Sequence, residues 1–157
     1  MKKSKKYVPY IVFLVITFAV DGIAGIITAK GMPAYEQINK PAFTPPQFVF
    51  PVVWTILYAL MAIGAALVWN TGGRGRTKAI ALFALQLIMN FLWVVWFFSL
   101  QAYLFAFIWL LALIAAVAAM TRAFYDVNPL AAYLQIPYIA WLTLAALLNI
   151  AVYIMNR

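Results

Sequence analysis

The sequence predicts an all-α integral membrane protein, folded as a bundle of five transmembrane helices. Hydrophobic residues fill 68% of its 157 positions and charged residues only 9%, whereas an ordinary soluble domain is about half apolar and about a quarter charged. Three acidic and eleven basic residues are too few to cover the core of a soluble domain with polar surface. A soluble globular protein is therefore excluded, and residues 1–157 are expected to form a single membrane domain.

Five apolar stretches have the length of about 20 residues that a helix needs to cross the hydrocarbon layer. Charged and turn residues place them at approximately residues 8–29, 48–69, 78–98, 102–124 and 130–155. Lysines precede the first stretch, as in a signal peptide. However, the stretch is longer than a typical apolar region of about 7–15 residues and lacks a clear cleavage site, which favours a retained helix.

Basic residues are distributed unequally between the two sides that these spans predict. One side carries Lys2, Lys3, Lys5, Lys6, Arg74, Arg76, Lys78 and Arg122, and the other carries Lys30, Lys40 and Arg157. The positive-inside rule then places the N-terminus in the cytoplasm and the C-terminus outside. Orientation and lipid phosphate account for the net charge of +8, so nucleic acid is not an expected partner.

Missing residue types exclude most conventional active sites. The chain has no Cys and no His, and its acids are Asp21, Glu36 and Asp126, so neither a metal site nor an acid–base or nucleophilic centre is expected. Asp21 lies inside the first span, where acids are functional candidates. It could join a proton relay or meet a cationic group. The favoured alternative is a neutral or snorkelling side chain about two turns from the helix end.

The stretch between the first two spans is predicted to be non-helical, with residues 30–47 forming a lid-like loop. Four prolines between positions 33 and 46 stiffen it, and Tyr35, Phe43 and Phe48 give it apolar weight. Such a loop fits a lid folded over the mouth of the bundle. It fits equally well an interfacial connector anchored by aromatic rings.

Three of the predicted helices carry a stripe of aromatic rings, and in the third and fifth spans the stripe also contains side-chain amides. The positions are Trp54, Tyr58 and Met61 in the second span, Gln86, Asn90, Trp93 and Phe97 in the third, and Gln135, Tyr138, Trp141, Ala145 and Asn149 in the fifth. Amides that face lipid are costly, so all four are expected to point into the bundle. Inward faces of this kind predict an apolar small-molecule cavity with a few hydrogen-bonding groups.

A purely structural interpretation of these stripes is also open. Tryptophan and tyrosine gather at membrane interfaces, and amides often tie helices together. Trp69, at a helix end, fits an interfacial belt, and Trp109 fits a position against lipid or a neighbouring helix. Trp54 and Trp141 lie deeper in their spans than belt residues, which supports the cavity.

Several motifs together resemble the TspO/MBR family of tryptophan-rich sensory proteins and translocator proteins. They are Lys40–Pro46 (KPAFTPP), Trp54–Met61 (WTILYALM), Gln86–Trp93 (QLIMNFLW), Asn128–Ala132 (NPLAA), Pro137–Leu142 (PYIAWL) and the pair Leu148 and Asn149. They span about residues 35 to 149 in the expected order. The short C-terminus is similar to that of the bacterial branch, which implies a bacterial cell membrane.

The resemblance implies a five-helix bundle, commonly a homodimer, that binds porphyrins beneath the loop joining the first two helices. Animal relatives also bind cholesterol and benzodiazepine-type drugs, and some bacterial members are associated with light- and oxygen-dependent breakdown of protoporphyrin. The family's indole pair matches Trp54 and Trp141, the residues implicated in that breakdown, and its third-helix pair matches Asn90 and Trp93. With the stripe residues Tyr58, Tyr138 and Ala145, these form the predicted ligand-binding set.

Protoporphyrin IX is thus expected as ligand or substrate, with no permanently bound cofactor. Lys30 and Lys40 are candidates for a basic rim around its propionates. Without His or Cys the pocket lacks the usual strong axial ligands, so metal-free protoporphyrin should be preferred over haem. A sensor without turnover and a transporter of porphyrin or lipid are the alternatives. A weak sterol-type pattern occurs at Leu148, Tyr153 and Arg157.

Overall fold

The protein is an all-α bundle in which five helical segments are long and apolar enough to cross a membrane. The computed structural model describes residues 2–157, with side chains from residue 5 onward, so the side chains of Lys2 and Lys3 lie outside the described part. The helices are α1 (Lys2–Gln37), α2 (Val49–Thr71), α3 (Arg76–Val94), α4 (Tyr103–Val127), α5 (Pro129–Tyr133) and α6 (Ile136–Met155), and a π-helical segment (Val95–Ser99) continues α3. The predicted fold class is confirmed.

α1 extends further than its sequence predicts, because residues 30–37 of the predicted loop are helical. Gly31 and Pro33 are local helix breakers, and Pro33 leaves one backbone carbonyl without its helical partner. Packing outweighs these preferences. A Cβ on Gly31 would lie 2.6 Å from the Phe98 carbonyl oxygen, so a glycine allows close approach, and the Tyr35 ring packs 5.6 Å from the Phe98 ring. The connecting loop is therefore shortened to residues 38–48.

The π-helical segment widens the end of the third span. The Leu100 amide donates to the Val95 carbonyl at 3.1 Å, one residue further back than in an α-helix. The wider turn brings Phe97 and Phe98, which are adjacent in sequence, to the same interior space. Sequence periodicity at 3.6 residues does not predict this arrangement.

The fifth span consists of two helices, α5 and α6, separated at residues 134–135. Asn128 caps α5 by accepting from the Leu130 amide at 3.1 Å. Pro137 has no amide hydrogen to donate to the preceding turn, and the chain bends there. The bend buries the Gln135 side chain completely, where its amide nitrogen donates to the Leu60 carbonyl of α2 at 3.3 Å.

Candidate ligand-binding cavity

A cavity of about 840 Å³ lies between α1, α2, the end of the third span and α6. Its volume is within the range of roughly 300–1,000 Å³ that is usual for small-molecule sites. Residues 38–48 close it at one end, since Lys40, Thr44, Pro45 and Gln47 line it. We call residues 38–48 the lid. The lid lies at the end of the bundle where α1 finishes and α2 begins.

The cavity narrows to a floor far from the lid. Each of these helices has one lining residue that is most distant from the lid. These residues are Asp21 of α1, Tyr58 of α2, Asn90 of α3 and Trp141 of α6. We call these four residues the floor. Because α1 and α3 run towards the lid while α2 runs away from it, these four positions mark one level of the bundle.

Six of the seven predicted ligand-binding residues line this cavity: Trp54, Tyr58, Asn90, Trp93, Trp141 and Ala145. Tyr138 does not line it. Its side chain is 1% exposed and lies in the layer behind the floor, because its hydroxyl is held between Asn90 and Gln86. The structure thus places Tyr138, which was predicted to contact the ligand, in a supporting position one layer behind the cavity.

Four polar side chains form one hydrogen-bonded chain behind and across the floor. The Tyr58 hydroxyl donates to Asn90 Oδ1 at 3.0 Å, and Asn90 Nδ2 donates to the Tyr138 hydroxyl oxygen at 2.8 Å. That hydroxyl in turn donates to Gln86 Oε1 at 2.8 Å. We call this the floor network. It ties α2, α3 and α6 together, and every member is at most 2% exposed.

The two remaining inward amides also behave as predicted. Asn149 is 1% exposed; its Oδ1 accepts from the Trp93 indole at 3.1 Å and its Nδ2 donates to the Tyr103 carbonyl at 2.8 Å. These contacts fix the Trp93 ring in the cavity wall. Gln135 is fully buried, but it serves the contact between α5 and α2 rather than the cavity. All four amides thus point inward.

Trp54 and Trp141 converge from separate spans, as predicted, but their geometry differs from two opposed stacking faces. Their ring centroids are 6.5 Å apart and their planes meet at 88°. A flat ligand between two parallel rings would need about 7 Å between the ring planes, because each contact takes about 3.5 Å. The indoles therefore contact each other edge to face, and the open space of the cavity lies beside the pair rather than between the two rings. Phe50, which the stripes did not include, extends it at 5.7 Å from Trp141.

The lid is held by hydrogen bonds at both ends. Asn39 and Asn156 are paired reciprocally: the Asn39 amide donates to Asn156 Oδ1 at 2.9 Å, and Asn156 Nδ2 donates to the Asn39 carbonyl at 2.8 Å. Gln47 Nε2 donates to Glu36 Oε1 at 3.1 Å. The first pair connects the lid to the end of α6, and the second connects it to α1. Sequence reasoning found neither pair, since each joins residues from separate elements.

The predicted basic rim is not formed as expected. Lys30 is exposed and does not line the cavity. Lys40 does line it, but its ammonium donates to the carbonyls of Tyr35, Glu36 and Ile38 at 2.8, 3.1 and 3.3 Å. Lys40 therefore caps the C-terminus of α1, a position that also suits a cation near the negative end of the helix dipole.

The other singled-out features lie away from the cavity. Trp69 is 45% exposed at the end of α2, as expected for a belt residue. Trp109 faces a neighbouring helix, since its indole donates to the Met89 carbonyl at 2.8 Å. Within the described residues, no group of three or more acidic, His or Cys side chains is placed to hold a metal ion.

The sterol-type pattern does not form one surface. Leu148 is buried and lines the cavity, whereas Arg157 is exposed. At about 100° per residue, Tyr153 lies roughly 140° around the axis from Leu148. The three side chains of the pattern thus face different surroundings.

Comparison with known proteins identifies the same group that the motifs resemble. The model of the TspO/MBR family matches residues 11–155. An archaeal protein of Archaeoglobus fulgidus named tryptophan-rich protein TspO is 36% identical over 137 residues, which are 86% of this chain and 89% of that protein. The human translocator protein is 38% identical over 81% of this chain and 77% of its own. The tryptophan-rich sensory protein of Cereibacter sphaeroides is 38% identical, with coverage of 73% and 72%.

Proposed function

Since the chain belongs to the TspO/MBR family, we propose that it binds protoporphyrin IX in the cavity beneath its lid. The observation that carries the proposal is an 840 Å³ cavity between membrane-spanning helices whose floor and walls include three indoles. Aromatic walls suit a broad, flat, apolar macrocycle. The resemblance to a porphyrin-binding family is the reason for proposing this ligand, and the cavity is the site that can hold it.

The bound porphyrin is expected to lie with its propionates towards the lid. Asp21 lies on the floor, and a second negative charge at that depth would be repelled. At the opposite end, the propionates reach the lid and the water beyond it. Charge repulsion at the floor and access to water at the lid thus give the ligand one preferred direction.

We further propose that the protein promotes oxidation of the bound porphyrin by dioxygen under light. The excited porphyrin activates dioxygen, which is the oxidant, so the protein needs neither an acid–base pair nor a metal of its own. Trp54 and Trp141 lie against the ligand and are readily oxidised, which makes them candidate electron donors or traps for reactive oxygen. Their roles in this proposal are assigned from proximity and indole chemistry.

The test is an absorption spectrum of the purified protein with protoporphyrin before and after illumination. Wild type should bind stoichiometrically and form a new pigment, whereas Trp54→Phe and Trp141→Phe should bind but form less of it. Trp69→Phe, at the far end of α2, is the matched control and should behave like wild type. Binding without pigment favours a sensor, and protein-dependent flux of porphyrin into liposomes favours a transporter. Absence of binding contradicts the proposal.

Preference for the metal-free ligand is a second expected property. Because the chain has no His and no Cys, haem gains no strong axial bond here. Titrations should show tighter binding of protoporphyrin than of haem. Equal affinities, with a haem spectrum typical of a protein axial ligand, would contradict this. Benzodiazepine-type drugs should displace protoporphyrin, since both are apolar aromatics of a size for the same cavity.

We propose that the N-terminus is cytoplasmic in a bacterial cell membrane, so that the lid faces outward. The lid end of the bundle carries fewer bases than the end with Arg74, Arg76 and Lys78. The chain has no Cys, so single cysteines can be introduced. In whole cells, a cysteine at Arg157 should react with an impermeant maleimide and one at Arg74 should not. The reverse result would contradict the orientation.

A homodimer is also part of the proposal, on the resemblance to the family. α1 is the least buried of the five spans. In its apolar segment 17% of the residues are buried, compared with 28–44% in the other spans, so α1 offers surface for a second copy. Mass measurement of the protein in nanodiscs should give two chains per particle at saturating protein. Monomers at all concentrations would contradict it.

A further inference from the structure

Asp21 lies at a depth in the membrane where a carboxylate is costly. The favoured sequence interpretation placed it about two turns from the end of its helix, but α1 continues to Gln37. Lys30, the next charged residue, follows nine positions later, a distance of about 13 Å along the axis. Lysine and arginine have long stems that reach an interface, whereas aspartate has none. The Asp21 carboxylate therefore stays inside the membrane-spanning part of α1 and does not reach the interface.

The space beside Asp21 is open. Asp21 belongs to the floor, and Gly22 and Gly25 line the cavity next to it. A Cβ added to either glycine would meet no atom of the described residues within 4 Å. α1 thus presents bare backbone and one carboxylate to the cavity at this level, and a ligand can approach Asp21 without displacing a side chain.

Among the charged side chains that line the cavity, the Asp21 carboxylate is the one without a partner within the described residues. The cavity contains two other charged residues, and both are engaged: Glu36 accepts from Gln47, and Lys40 donates to three backbone carbonyls. Neither an ion pair nor a hydrogen bond to the Asp21 carboxylate occurs among side chains 5–157; the ion pair found there joins Arg122 to Asp126 at 3.1 Å. A cationic group on a ligand would supply the partner that the described residues do not.

We propose that the cavity recognises apolar aromatic ligands that carry a basic amine, with the amine nitrogen paired to Asp21. A charged N–H donor to a carboxylate is among the strongest hydrogen bonds in proteins, more so away from water. The rings of Tyr58 and Trp141 share the floor with Asp21, and aromatic faces attract cations. The inference requires a cavity that admits ligands, but it does not require that porphyrin be one of them.

The test compares two probes that differ in one group. The first is a tricyclic aromatic compound with a dimethylaminopropyl chain, and the second carries an isopropyl group in place of the dimethylamino group. Both are titrated against protein in nanodiscs of zwitterionic lipid, with empty nanodiscs subtracted to remove partitioning. Wild type should bind the amine about tenfold or more tightly than its neutral analogue, as expected for a hydrogen bond between charged groups.

Asp21→Asn should remove this preference, while its affinity for the neutral analogue stays unchanged and shows that the variant is folded. Asp126→Asn, which changes an exposed acid outside the cavity, is the matched control and should keep the preference. A wild type without preference for the amine, or an Asp21→Asn variant that retains it, would overturn the inference. Protoporphyrin titrations of the same samples test the proposed function separately, because an Asp21-dependent amine preference without porphyrin binding contradicts only the latter.

Discussion

The two ends of the bundle use the same helices but pack in opposite ways. In the half away from the lid, α2 contributes Met61, Ala62, Ala65 and Val68, all completely buried, and the helices close on one another. In the half beneath the lid, α2 contributes Trp54, which lines the cavity. Small side chains allow helices to approach closely, whereas large rings hold them apart. Side-chain size along one helix therefore decides which half is filled and which is hollow.

The floor network forms the boundary between these halves. Its hydrogen bonds connect three helices at the level where the packing changes. Below this level, Gln135 Nε2 donates to the carbonyls of Leu60 and Ala131, whereas Gln135 Oε1 is buried without a partner among the described residues. Above it, Asp21 and the edges of the indole rings face open space. The network stabilises the cavity floor, because each of its four polar side chains has a hydrogen-bond partner within the network.

Adding volume to the filled half is expected to have the largest effect on stability. A Cβ on Gly64 would overlap with the Gln135 side chain and lie 3.2 Å from both the Ala131 carbonyl oxygen and the Phe124 ring. Gly64→Leu should therefore lower the free energy of unfolding by about 3 kcal/mol or more. Thermal unfolding in detergent measures this. An unchanged midpoint would show that the filled half is loosely packed.

The same substitution in the hollow half is the matched control. Gly22→Leu meets open space, and replacing a helical glycine relieves a penalty of about 0.5–1 kcal/mol. Its unfolding midpoint should stay the same or rise slightly. Because Gly22 lines the cavity, the added side chain should nonetheless weaken porphyrin binding. Loss of stability without loss of binding would contradict the distinction between the halves.

A smaller effect is expected from removing the central amide of the floor network. Asn90→Leu keeps a similar side-chain volume but leaves the buried Tyr58 hydroxyl without its acceptor. The free energy of unfolding should fall by about 1–3 kcal/mol. Denaturant unfolding of the variant and of Thr143→Val, whose hydroxyl is exposed and bonded within its own helix turn, provides the comparison. Equal stability of both variants would show that the network contributes nothing.

Much of this architecture was predictable from sequence, because a few strong physical constraints apply in a membrane. The spans follow from apolar length. The inward direction of Gln86, Asn90, Gln135 and Asn149 follows from the cost of an amide in lipid, and all four are buried. Trp141 lies on the same stripe as two of those amides, whereas the inward position of Trp54 was indicated by its depth in the span and its stripe with Tyr58 and Met61.

The remaining features depend on contacts between distant residues, which no local pattern contains. α1 continues through Gly31 and Pro33 because Phe98 packs against it. Tyr138 lies one layer behind the cavity because two amides from α3 hold its hydroxyl. The Lys40 ammonium is engaged within the protein because two carbonyls of α1 and the Ile38 carbonyl of the lid accept from it.

The smallest expected effect concerns the lid. Asn156→Ala removes two of the three hydrogen bonds that join Asn39 to the end of α6, and leaves the 3.5 Å bond from Asn39 Nδ2 to the Met155 carbonyl. These bonds are exposed, so global stability should fall by no more than about 1 kcal/mol. Amide hydrogen exchange should accelerate in residues 38–48 and stay unchanged in α4, and protoporphyrin should dissociate faster. Unchanged exchange in the lid would mean that Lys40 and Gln47 suffice to hold it.

The central claim is that a flat aromatic ligand occupies the hollow half, against the indole pair. It is tested most directly by brief illumination of the one-to-one protoporphyrin complex, followed by mapping of oxygen addition to each tryptophan by mass spectrometry. A bound porphyrin generates reactive oxygen locally, so Trp54 and Trp141 should be oxidised first, although Trp69 is 45% exposed. Preferential oxidation of Trp69, or equal oxidation of all six tryptophans, would contradict the account.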